Sequence, residues 1–152
     1  MLSPLPVTIV IVEDDPGHAR LIERSLRRAH ITNDVVILRD GQEALDYLFP
    51  EPTVSELPAL PSLVLLDLRL PQVDGYTVLA RMKRDERTQH IPVIILTTVD
   101  VPEEIERCYA LGCNVYITKP VEETRFIEAI RQLGLFVSIV QIPTGLLPVT
   151  PH

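Results

Sequence analysis

The chain has 152 residues, 46% of them apolar, which suffices for one domain with a full core and falls short of two. A formal charge of -7 and a pI near 5.0 argue against the uniform phosphate-backbone affinity of a nucleic-acid binder. The first residues lack the basic region and long apolar core of a signal peptide, and no apolar run approaches the roughly 20 residues of a membrane span. A cytoplasmic protein that touches neither membrane nor DNA is the expectation.

Residues 7–12 are a β-branched run with little alternation, as in a central strand covered on both faces. Asp15 then stands where a helix cap belongs, with Pro16 at the first helical position and Ile22, Leu26 and Ala29 on one face. Residues 35–38 form a second strand, and Asp40 with Glu43 has capping-box spacing for a helix carrying Ala44, Leu45 and Leu48. The proline-rich residues 50–61 read as a stiff surface connection.

The next strand, Leu63-Val64-Leu65-Leu66, runs into Asp67, and a helix with Val78, Leu79 and Met82 inward starts near Asp74-Gly75. Residues 91–96 are a fourth strand ending in Thr97-Thr98. A helix over 102–111, with Ile105, Cys108 and Tyr109 on one side, stops at Gly112. Val115 to Thr118 is a short fifth strand before Lys119-Pro120, and the last helix carries Phe126, Ile127, Ile130 and Leu133. Strand and helix alternating five times predicts a doubly wound α/β domain with a parallel sheet and helices on both faces. The domain spans 1–133, after a short lead at 1–6, and 134–152 is an extension.

Ligand sites of open α/β sheets lie beyond the carboxyl ends of the strands. Those ends carry Glu13, Asp14 and Asp15 after the first strand, Asp67 after the third, Thr97 and Thr98 after the fourth and Lys119 after the fifth. Burying an ionised aspartate among leucines costs several kcal/mol unless it is paired, metal-bound or open to a cleft. Carboxylates without histidine suit a hard divalent cation such as Mg²⁺, beside which Asp67 is a nucleophile and Lys119 a movable positive charge for a phosphoryl oxygen. Each residue also has a plain structural role open to it. Asp14 and Asp15 can be caps, Lys119 a counterion, and Thr97 and Thr98 ordinary β-branched strand residues. The joint placement at successive strand ends favours a site. His18, His30, His90 and His152 show no such convergence and read as surface residues, and Cys108 and Cys113 as small apolar side chains.

Four blocks, Val12-Glu13-Asp14-Asp15, Leu65-Leu66-Asp67-Leu68-Arg69-Leu70-Pro71 with Asp74-Gly75, Ile95-Leu96-Thr97-Thr98 and Tyr116-Ile117-Thr118-Lys119-Pro120, resemble the signatures of response-regulator receiver domains over residues 7–133. The resemblance implies a flavodoxin-like strand order 2-1-3-4-5 and a phosphoacceptor signalling protein rather than an enzyme. Asp67 would take a phosphoryl group from a sensor histidine kinase. Asp14, Asp67 and the Arg69 backbone carbonyl would bind Mg²⁺, with Glu13 acting through water, and Thr97 and Lys119 would hold phosphoryl oxygens. Tyr116 would turn inward as Thr97 is drawn to the phosphate, and Lys119-Pro120 would be cis. Within the family, the long proline-rich loop, the Thr97-Thr98 pair and the apolar extension are most similar to single-domain regulators of phytochrome-type kinases.

The apolar residues Leu135, Phe136, Val137, Ile139, Val140 and Ile142 read as an arm of a two-fold homodimer or toward a partner, the alternative being a tail folded on its own helices. A haloacid-dehalogenase-type phosphatase needs a second carboxylate two residues after its nucleophile, where this chain has Arg69. A flavodoxin-like carrier would bring phosphate to the first strand's end, which Glu13-Asp14-Asp15 repels. A receiver-shaped interaction module that is never phosphorylated stays open as the other reading.

Overall fold

The computed structural model describes residues 8–51 and 60–132. Residues 52–59 of the proline-rich connection, Leu133 and the proposed arm from Leu135 to Ile142 lie outside the described residues.

The apolar runs become β1 (Thr8–Val12), β2 (Asp34–Leu38), β3 (Leu63–Leu66), β4 (Val93–Thr97) and β5 (Val115–Thr118). They pair in parallel in the order β2-β1-β3-β4-β5, so the expected topology holds. Between them run α1 (Pro16–Arg28), α2 (Gly41–Leu48), α3 (Gly75–Arg84) and α4 (Pro102–Leu111), and α5 (Glu123–Gln132) follows β5.

Strand alternation divides the core in two. Ile9 and Ile11 of β1, Leu63 and Leu65 of β3, Ile94 and Leu96 of β4, and Val115 and Ile117 of β5 share one apolar cluster with Ile22 and Leu26 of α1 and Phe126 of α5. Val10, Val12, Val64, Leu66, Val93, Ile95 and Tyr116 share the other with helices α2, α3 and α4. Continued one step past the strand ends, this parity sends Glu13, Asp67 and Lys119 toward the α1 and α5 side. It sends Thr97, like Tyr116, toward α4.

The helix starts follow local chemistry. Asp15 Oδ1 accepts from the backbone N–H groups of Gly17 and His18, with Pro16 at the first position. Asp40 Oδ1 accepts from Glu43 N at 2.7 Å, while Glu43 reaches back to Arg39 N at 2.6 Å, one residue earlier than a standard capping box. Gly112 closes α4 at φ 107°, a left-handed conformation that suits glycine.

Two details of the expected elements change. The fourth strand begins at Val93, because Ile91 lies in the preceding turn, where its N–H donates to the Thr88 carbonyl. On α4 Cys108 is buried, but Tyr109 is 49% exposed, with its hydroxyl accepting from Tyr116 N at 3.2 Å. Burial pushes the Cys108 and Cys113 thiols up to about 11 and about 12, so both stay protonated, as their apolar reading requires.

Candidate functional site

β1 and β3 are neighbours at the point where the strand order changes direction, and their carboxyl ends open one crevice. Asp67 follows β3 directly and is held from two sides. Its N–H donates to the Val12 carbonyl at 3.1 Å, and its Oδ1 accepts from Arg69 N at 3.3 Å. The loop then returns to α3, where Gly75 N donates to the Leu68 carbonyl at 2.9 Å and buried Leu68 packs into the α3-side core.

Glu13, Asp14 and Asp67 each turn a carboxylate oxygen into the crevice, and these three oxygens lie within 4.8 Å of one another. Asp14 is exposed, whereas Glu13 and Asp67 are 2% and 7% exposed. Such an all-oxygen set with one open side fits a small hard cation that keeps part of its water.

Lys119 Nζ enters from the other side, donating to Glu13 Oε2 at 2.5 Å and to Asp67 Oδ2 at 3.1 Å. Its base is fixed because Lys119 N donates to the Thr97 carbonyl at 2.8 Å. The Lys119-Pro120 peptide is cis. Burial pushes the Glu13 carboxyl up from its ordinary value, against the lowering effect of the Lys119 hydrogen bond. For Lys119 burial pulls downward, but the Glu13 hydrogen bond and the Asp67 charge outweigh it and the ammonium titrates above its ordinary value.

Thr97 is buried beside this corner on the α4 side, its Oγ1 accepting from Val99 N at 3.3 Å. Tyr116 stands inward, 7% exposed, with its hydroxyl donating to the Val99 carbonyl at 2.6 Å, and burial pushes its phenol up to about 12. Thr97 and Tyr116 therefore meet at Val99.

Glu13, Asp14, Asp67 and Lys119 converge, whereas the Asp15 carboxylate caps α1. The reading of His18 as a plain surface residue needs correction. Although its side chain is 44% exposed, Nδ1 lies 3.2 Å from Lys119 Nζ and 3.8 Å from Glu13 Oε1. The signal was present in the strand parity. Glu13 and Lys119 both turn toward α1, and His18 sits in the first turn of that helix, next to their strand ends.

The model of the response regulator receiver domain family matches residues 9–131. The chain belongs to the response regulator receiver family. It is 42% identical over 133 residues to the probable methanogenesis regulatory protein FilR2 of Methanothrix harundinacea, covering 86% of this chain and 84% of that protein. The structure of the bacteriophytochrome response regulator AtBRR superposes with a TM-score of 0.76 at 42% identity, over 88% of this chain and 96% of that one. The Mn²⁺-bound form of response regulator Rcp1, a protein known from Synechocystis, gives 0.71 at 32% identity, over 95% of this chain and all of that one. This receiver is thus a signalling domain of the flavodoxin-like class, similar to phytochrome response regulators and with an acidic corner suited to a divalent metal. Among the described residues no helix is long and apolar enough to cross a membrane.

Proposed function

We propose that this receiver accepts a phosphoryl group on Asp67 from the phosphohistidine of a sensor kinase. The single observation that carries this reading is the approach of Lys119 Nζ to within 3.1 Å of Asp67 Oδ2 at the edge of the three-carboxylate corner. In the transfer an Asp67 carboxylate oxygen attacks phosphorus, the P–N bond to the kinase histidine breaks, and the imidazole leaves with the bond's electron pair. Lys119 donates to one phosphoryl oxygen, and the Thr97 hydroxyl, turning toward the site, donates its O–H to another.

Mg²⁺ fits the acidic corner, where Asp14, Asp67 and the Arg69 carbonyl would hold it and Glu13 would reach it through water. When bound, it supplies positive charge to the phosphoryl oxygens during an in-line displacement. Because three carboxylates share one ammonium, the cation also stabilises the fold. At about a hundred times its Kd it adds about 2.7 kcal/mol. Asp14→Asn is expected to raise the metal-free thermal midpoint by relieving like-charge repulsion and to remove most of the rise that Mg²⁺ gives the parent. A variant that still gains the full rise would place the cation elsewhere.

The similarity to AtBRR supports a bacteriophytochrome-type kinase as the phosphodonor. The reading is tested with acetyl phosphate and Mg²⁺ by intact mass. The parent gains the mass of one phosphoryl group and Asp67→Asn gains none. Equal gain by both would move the acceptor to another residue, and no gain by either would favour an unphosphorylated interaction module.

A further inference from the structure

A lysine ammonium has three N–H donors and no acceptor. Glu13 Oε2 and Asp67 Oδ2 take two of them, and the third points to His18 Nδ1 at 3.2 Å. Since Nζ can only donate, Nδ1 must accept, which fixes the neutral ring as the tautomer with its proton on Nε2. That nitrogen faces Asp15 Oδ2 at 4.0 Å. The backbone that carries the imidazole is fixed, because the His18 N–H is bound by the Asp15 cap and the residue belongs to the first turn of α1.

The surroundings give this contact a purpose. A 290 Å³ groove between α1 and the segment after β5 is lined by His18, Leu21, Ile22, Thr98, Lys119 and Pro120. The His18 ring lies against the Lys119 ammonium at the wall of this groove, and the Lys119 side chain is only 10% exposed. A lysine stem has four rotatable carbons, so an ammonium held by Glu13 and Asp67 alone can swing toward the groove and its water. When Asp67 carries a phosphoryl group, the donor that Asp67 held passes to a phosphoryl oxygen, and two fixed acceptors remain necessary to aim it.

We propose that His18 is a positioning residue for phosphoryl transfer, its Nδ1 serving with Glu13 as a fixed acceptor that aims Lys119 at the phosphoryl group on Asp67. The assignment rests on the reading of Asp67 as phosphoacceptor, and two measurements separate the two. The first uses the unmodified protein. Long-range ¹H–¹⁵N correlation of the neutral histidine rings is expected to show His18 protonated on Nε2 with Nδ1 hydrogen-bonded, and Lys119→Met to move the Nδ1 resonance toward that of a free acceptor. A proton on Nδ1, or a resonance indifferent to Lys119→Met, overturns the assignment and leaves phosphorylation of Asp67 untouched.

The second is the rate of phosphorylation by acetyl phosphate with Mg²⁺. His18→Leu keeps bulk but removes the acceptor, and is expected to slow the reaction about tenfold, the usual scale for one hydrogen bond to a charged group. His18→Asn, whose Oδ1 stands about where Nδ1 stood, is expected to restore the rate to within about threefold of the parent. Equal loss in both variants would assign the ring to packing and overturn the proposal. A parent that takes no phosphate would overturn the Asp67 reading and the role of His18 with it.

Discussion

Lys119→Met is expected to slow phosphorylation of Asp67 about a hundredfold or more, the range seen when a preorganised donor to developing charge is removed. The same change is expected to cost on the order of 3 kcal/mol of stability without metal, since it breaks a buried ionic cluster by removing its cation. Among the described residues Glu13 pairs with Lys119 and His18, so only Lys119 brings it a full positive charge when His18 is neutral, and methionine keeps the bulk but no donor. The two effects separate on adding Mg²⁺. A cation held by the acidic corner replaces the missing charge and recovers part of the stability, whereas it cannot replace a donor aimed from the far side of Asp67.

The pH dependence gives a second signature. Glu13 titrates above its unfolded value of 4.5, so its contribution to stability is full below 4.5 and is lost as pH rises through the folded value. Lys119 also titrates above its unfolded value, 10.5, so its contribution is full below 10.5 and is lost as pH rises through the folded value. The parent and Lys119→Met should therefore differ most in urea midpoint between the ionisation of Glu13 and 10.5, and converge toward both acid and alkali. A gap that does not vary with pH would assign the loss to packing of the lysine stem.

Much of this site was legible because each participating residue ends a strand, and an apolar run interrupted by Asp67 or stopped at Glu13 marks that end without any knowledge of the partner. Asp15 and Asp40 were readable for a related reason, since a cap satisfies N–H groups only two or three residues away. His18 was missed because its partner is 101 residues distant and a half-exposed helical histidine looks like any other. Tyr109 was placed inward by helical spacing, but α4 has only one face against the sheet and Cys108 occupies it. Gln72 shows the same limit, for its φ of 69° falls in the loop between Asp67 and Gly75 with no glycine to mark it. Glycine was read only as punctuation, whereas Gly41 and Gly75 are where two backbones approach too closely for a side chain.

Gly75→Ala is the sharpest consequence of that last point. A Cβ at residue 75 would stand 2.2 Å from the Asp67 carbonyl oxygen and 2.7 Å from the Leu68 Cα, both backbone atoms with no rotamer to retreat into. The helical φ and ψ suit alanine well, so propensity alone would predict about 1 kcal/mol of gain. The clash reverses the sign. Overpacking of this kind costs about 1–3 kcal/mol, and the upper end applies where main chain must move. Movement here is not neutral for the chemistry. Gly75 N donates to the Leu68 carbonyl, and pushing α3 away draws on the loop that begins at Asp67, whose own carboxylate is held by Arg69 N. The variant is thus expected to unfold at lower urea and also, where still folded, to take phosphate from acetyl phosphate more slowly by about tenfold, because a misplacement near 1 Å at a reacting atom is worth that much or more. Loss of stability with an unchanged phosphorylation rate in the folded fraction would mean that the loop yields at Leu68 and leaves Asp67 in place, so the helix start would set the fold without setting the site.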